Sequence, residues 1–251
     1  MIGIYRFGVS ENKIIKAIIS YDGSKFFGMQ KQKNKKTIQG EIEKALYKLN
    51  INSSILYAGR TDKGVHAINQ VISFNIPSFW KKDKLLKELN KILHPYIHIK
   101  KFETVDNNFN PRFDAKKRSY RYLISKNFSP FTNDYVTYYP KQIDILLLKK
   151  AIKLFEGKHD FEYFAKTGSS INNYIRTIYK TNIFEYKNLV VIKIKGNGFL
   201  RGQIRLMIDF LLKINEKELT IDDLKKQIDK KVFYSKHLAN PNGLYLEKIW
   251  Y

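Results

Sequence analysis

Two hydrophobic periods alternate along the first hundred residues, and this limits the chain to helices packed against a sheet. The run Lys13 to Tyr21, KIIKAIISY, is rich in β-branched residues and closes on Asp22-Gly23, which reads as a strand entering a turn. After Thr37, a suitable N-cap, the residues Ile38, Ile42, Ala45, Leu46 and Leu49 recur at helical spacing and give one apolar face. Strands are expected at Ser54 to Ala58 and Asn69 to Ile76, a helix at about Asp83 to Leu93, and a strand at Ile97 to Thr104.

That order, β-α-β-β-α-β, is the ferredoxin-like split unit, whose helices cover one sheet face and leave the other free for binding. After the irregular stretch Asp106 to Pro111, a strand is expected over Lys116 to Ile124 and a helix over Ile143 to Phe155. A loop with Gly168-Ser169-Ser170 leads to a hairpin of Tyr174 to Glu185 and Leu189 to Lys195. Phe199, Met207, Phe210, Leu211 and Ile214 then mark a helical apolar face, followed by a short helix near Ile221 to Ile228 and a strand at Leu244 to Trp250. The expected class is α+β, with two related halves, 1–109 and 110–251. Merging the sheets would give the halves one continuous basic surface.

Charge narrows the partner. The 251 residues carry 46 Lys plus Arg against 23 Asp plus Glu, a net +23 that draws polyanions, nucleic acid first. The chain is also rich in Lys, Ile and Asn, a bias that genome composition alone can produce. Arginine is the more informative cation, because a lysine-rich chain uses it where a planar fork, permanent charge or stacking matters. Apart from Arg6, every Arg lies in or beside a specialised segment. The absence of cysteine excludes disulfides and thiolate metal sites, and the five His are scattered without ligand-like spacing, so no metal is expected. No apolar run reaches membrane-span length and no signal-peptide pattern is present, so a soluble, cytoplasmic protein is expected.

Three segments can carry chemistry. Ala58 to Ala67, AGRTDKGVHA, is polar and flanked by glycines between two expected strands. It reads either as a hairpin turn with solvated charges or as a loop that holds Asp62, between Arg60 and Lys63, as an ionised nucleophile or base. Lys117 to Tyr122, KRSYRY, alternates so that Tyr120 and Tyr122 share one strand face and Ser119 and Arg121 the other. Those tyrosines either pack in a core or stack on a base while Arg118 and Arg121 reach phosphates. Gly196 to Arg205, GNGFLRGQIR, sets Arg201 and Arg205 four residues apart at a helix opening, as solvated charges or as a partner for Asp62 and a backbone contact. Its glycine spacing fits neither dinucleotide nor P-loop patterns, so no nucleotide cofactor is expected.

Together these segments resemble the TruA family of tRNA pseudouridine synthases over nearly the whole chain. The resemblance rests on Tyr21 to Ser24 with Phe27 to Gln30, Thr37 to Gly40, Ala58 to Ala67, and Phe113 to Ala115 with Arg118 to Tyr122. It continues through Gly157 to Phe161, Arg176 to Ile178, Gly198 to Arg205 and Gly243 to Leu246. It implies that Asp62 is the catalytic aspartate, Tyr120 the tyrosine that stacks on the target base, and Arg205 the basic partner of the aspartate. It further implies a base-flipping or RNA-holding role for Arg60, an active-site position for Leu244, and a fold of two ferredoxin-like halves sharing a largely antiparallel mixed sheet with helices on one face. Met29, Ile204 and Lys63 depart from the family's usual residues, and only Lys63 alters local electrostatics. The implied activity is isomerisation of uridine to pseudouridine in the tRNA anticodon stem-loop, typically at positions 38 to 40, by a homodimer without metal or organic cofactor. The competing reading is a non-catalytic RNA-binding protein that keeps the fold.

Overall fold

The computed structural model describes residues 12–166, 168 and 173–251. Arg6 and most of the Gly168-Ser169-Ser170 loop lie outside the described residues.

The first half runs β1 (Asn12–Tyr21), α1 (Ile38–Lys48), β2 (Leu56–Tyr57), β3 (His66–Pro77), α2 (Lys82–Leu93) and β4 (Ile97–Thr104). Thr37 caps α1 as its sequence position suggests, its Oγ1 accepting from the Gly40 N–H at 3.2 Å, a contact worth about 1 kcal/mol. Ile38, Ile42, Ala45 and Leu46 form the buried face of α1. The second half runs β5 (Lys117–Ser125), β6 (Thr137–Tyr138), α3 (Ile145–Lys153), β7 (Gly157–Asp160), β8 (Ile175–Tyr186), β9 (Leu189–Gly196), α4 (Gln203–Asn215), α5 (Ile221–Ile228) and β10 (Leu244–Trp250).

All ten strands among the described residues join one sheet. Its main path is β4-β1-β3-β10-β5-β9-β8-β7, with β2 beside β3 and β6 beside β5. Pairing is antiparallel except for β10 on β3 and β6 on β5. The path contains one topology twice. In the first half the strands lie β4-β1-β3-β2, and in the second β10-β5-β9-β8, so each half has its last strand beside its first. The halves meet where β10 lies between β3 and β5.

Alternation along the strands decides what faces the helices. Ile15, Ala17, Ile19 and Tyr21 of β1, Tyr120, Tyr122 and Ile124 of β5, and Leu244 and Leu246 of β10 are all buried on the helix-bearing face. The opposite face carries partly exposed Ile18, Arg121, Lys193 and Glu247. Tyr122 satisfies its hydroxyl inside the core by donating to the Asn240 carbonyl at 2.8 Å and accepting from Thr137 Oγ1 at 2.8 Å.

Candidate active site

The segment between β2 and β3 is held from several sides. Ala58 N–H donates to the Val71 carbonyl at 2.9 Å, and Gln70 Nε2 donates to the Gly59 carbonyl at 2.8 Å. Thr61 shares a 2.8 Å hydroxyl contact with Tyr21, and its carbonyl accepts from Met29 N–H at 3.1 Å. Gly28 makes that approach possible: its φ is +94°, and a Cβ there would lie 2.7 Å from the Thr61 carbonyl oxygen. Gly64, at φ +81°, turns the chain under Pro241, where a Cβ would come within 2.9 Å of the ring.

His66 closes the loop. Its Nδ1 accepts from the Gly23 N–H at 3.1 Å and its Nε2 meets the Asp134 carbonyl at 2.9 Å, which fixes a neutral ring with the proton on Nε2. Burial holds its pKa below the ordinary 6.5, consistent with that tautomer. The ring stacks on Tyr245 with centroids 4.7 Å apart.

So fixed, the loop presents Asp62 to α4. Arg205 Nη1 donates to Asp62 Oδ2 at 3.2 Å, joining residues 143 positions apart. The guanidinium is aimed by its Nε, which donates to the Ala239 carbonyl at 2.6 Å. Asp62 keeps a quarter of its side chain exposed, so the carboxylate remains reachable. Tyr120 lies at the cleft floor, its ring edge-on to Phe199 at 5.3 Å. Its hydroxyl is 3.9 Å from where a Cβ on Gly59 would sit. Burial, with a smaller contribution from Asp62 and opposed by Arg118, pushes the Tyr120 phenol up to about 12, so it stays protonated.

These residues line a cleft of about 1200 Å³, together with Arg60, Arg201 and Leu244. Arg118 also borders it, but its guanidinium is occupied by carbonyls: Nη1 donates to Asn197 at 2.9 Å, and Nη2 to Ala58 at 3.1 Å and Arg112 at 2.7 Å. It ties the Asp62 loop to the strand and loop opposite and has no fork free for phosphate. Arg121 points to the other sheet face, where it pairs with Glu247 beside Lys193. Arg201 lies in the turn before α4 and not on the helix, because the chain reaches helical geometry only after Gly202 at φ +73°. The cleft opens on the helix-bearing face, and the free face expected for binding is its reverse.

Sequence reasoning left Arg176 and Phe199 out of the site, though both line the cleft. Arg176 stands against Gly198 beside Arg118, and its place in a strand-opening RTI triplet was the available signal.

The tRNA pseudouridine synthase family matches over residues 17–114 and 151–251, which include Asp62 and Arg205. The chain belongs to this family. The synthase is 44% identical over 239 residues to tRNA pseudouridine synthase A of Campylobacter jejuni strain 81116, covering 94% of this chain and 99% of that protein. It is 42% identical over 244 residues to tRNA pseudouridine synthase A of Helicobacter hepaticus, covering 94% and 98%. The likeness to the archaeal box H/ACA Nop10–Cbf5 complex has a TM-score of 0.36 and 13% identity over 78% of this chain and 41% of that one, too distant to bear on function. The synthase is thus an isomerase that converts uridine in tRNA to pseudouridine. No described helix is long and apolar enough to cross a membrane.

Proposed function

We propose that the cleft around Asp62 is where a tRNA uridine is isomerised, with Asp62 as nucleophile or base. The observation that carries this is the Asp62–Arg205 contact at 3.2 Å beside Tyr120. It supplies a partly exposed carboxylate, a fixed guanidinium bonded to it, and an aromatic floor.

The reaction breaks the bond from ribose C1′ to uracil N1 and makes one from C1′ to C5. N1 gains a proton and C5 loses one, so no oxidant, reductant or co-reactant is needed. A uracil inside a stacked stem must first be extruded, at a cost of a few kcal/mol, offset by stacking on Tyr120 and by phosphate contacts from lysines. Asp62 then assists glycosidic cleavage by attacking ribose or uracil or by taking a ribose proton. Arg205 holds the carboxylate, and exposed Arg60 at the cleft wall holds the opened RNA. Leu244 packs beneath the base, and Arg201 contacts the backbone from the turn before α4.

The sequence resemblance supports the anticodon stem-loop as the site of modification, a homodimer as the working unit and the cytoplasm as its place. The repeated strand order supports two halves, 1–109 and 110–251, that together wall the cleft.

The test is tritium release from tRNA carrying 5-tritiated uridine. Asp62→Asn is expected to abolish release while tRNA binding persists; retained turnover would rule out the assigned role. Mapping pseudouridine in tRNA from cells lacking the protein identifies the positions.

A further inference from the structure

The Asp62 cleft does not end at the catalytic loop. Its wall includes Gln30, Gln39 and Ile55. The next residue along the chain in each case, Lys31, Gly40 or the preceding Ser54, lines a second cavity of about 930 Å³. The two hollows thus abut along three chain segments: the β1–α1 loop, the first turn of α1 and the approach to β2. Between them lies a bonded saddle. Glu43 accepts from Lys31 Nζ at 2.9 Å, Gln39 Nε2 at 2.9 Å and Ile55 N–H at 3.2 Å, and Gln39 accepts from Lys31 N–H at 2.9 Å.

The second cavity is a basic groove whose acids are already spent. Glu43 is consumed by the saddle, and Glu41 pairs with Lys44 at 2.9 Å. Lys35, Lys36 and Lys48 line the same groove with no carboxylate partner among the described residues. Two of them are held over rings, Lys35 over Phe27 at 4.7 Å and Lys36 over Phe26 at 5.2 Å. Tyr47 stands on the groove wall with 73% of its surface exposed. Unpaired cations with an exposed aromatic are the combination that follows a nucleic-acid backbone and stacks a base.

We propose that this groove holds the substrate tRNA strand flanking the target uridine, which runs from the Asp62 cleft over the Gln39–Glu43 saddle. The inference rests on the cleft being the active site. Phosphates then meet Lys35, Lys36 and Lys48, and Tyr47 supplies a stacking face.

The chain has no cysteine, so Tyr47→Cys creates a unique attachment point for an azidophenacyl photo-cross-linker. With tRNA bound to the labelled full-length protein, cross-links are expected at nucleotides within a few positions of the modified uridine on the same strand. Cross-links to a distant part of the tRNA, to a second copy of the protein, or to nothing overturn the proposal. In parallel, Lys35, Lys36 and Lys48 are changed together to Gln, with folding checked by circular dichroism. The plot of log affinity against log salt is expected to become shallower by about 2, since each lost phosphate contact removes about 0.7–0.9. A control changes Lys149, Lys150 and Lys187 to Gln, removing equal charge elsewhere. Equal slopes in the two triple variants, or a wild-type slope in the groove variant, overturn the proposal. Both readouts report binding, so they stand or fall separately from turnover by Asp62→Asn, which tests the cleft itself.

Discussion

At the scale of single residues, the site depends on which guanidinium does what. Arg205, Arg118 and Arg121 all lie in specialised segments, yet one faces Asp62, one a ring of carbonyls, and one pairs with Glu247 on the reverse of the sheet. The difference is geometric. Alternation along β5 sends Arg121 away from Tyr120, and Arg118 falls where three loops converge and leave carbonyls without partners. Arg118→Met removes the donor but leaves those carbonyls partly buried. It is expected to destabilise the fold by about 2–4 kcal/mol in urea denaturation, by a mechanism of unsatisfied acceptors. The salt dependence of tRNA binding should stay as in wild type, because this side chain has no fork left for phosphate. A shallower salt slope with unchanged stability would assign Arg118 to RNA instead.

Elements were more legible than their edges. The strand at Ile97–Thr104, the helix at Ile221–Ile228 and the strand at Leu244–Trp250 fall where periodicity puts them. The Asp62 loop is shorter on its far side, because β3 begins at His66 and not at Asn69. His66 is polar, so composition argues against a strand there; its pairing with Tyr245 of β10 and its bonds to Gly23 and Asp134 override that preference. Short β6 and β7 were missed, since strands of two and four residues leave no periodic trace. The loop's rigidity is testable through the β1–α1 segment that supports it. Gly28→Ala adds a Cβ against the Thr61 carbonyl at a positive φ, and is expected to cost about 1–2 kcal/mol. Turnover should fall by about tenfold or more as Asp62 shifts from its place, while the tRNA Kd changes little. Wild-type turnover in this variant would mean that the loop keeps its position without that close approach.

Over the whole molecule, the last strand joins the two halves. β10 pairs with β3 on one side and β5 on the other, and its Leu246 is fully buried. Leu246→Asp places an unpaired carboxylate in that seam and is expected to cost more than about 3 kcal/mol. Wild-type unfolding, followed by fluorescence of Trp80 and Trp250 and by far-ultraviolet circular dichroism, should give one coincident transition. Two separated transitions would show that the halves unfold independently. The amino-acid order alone determined the alternation of strands and helices, the basic excess and the segments around Asp62, Tyr120 and Arg205, because each is written in local spacing or composition. Only the tertiary structure decided that Arg205 reaches Asp62 across 143 residues, that Arg118 is spent on carbonyls, and that the cleft opens on the helix-bearing face. Those outcomes depend on strand register and on how two repeated units merge through β10, and neither long-range pairing nor the facing of a sheet can be read from neighbouring residues.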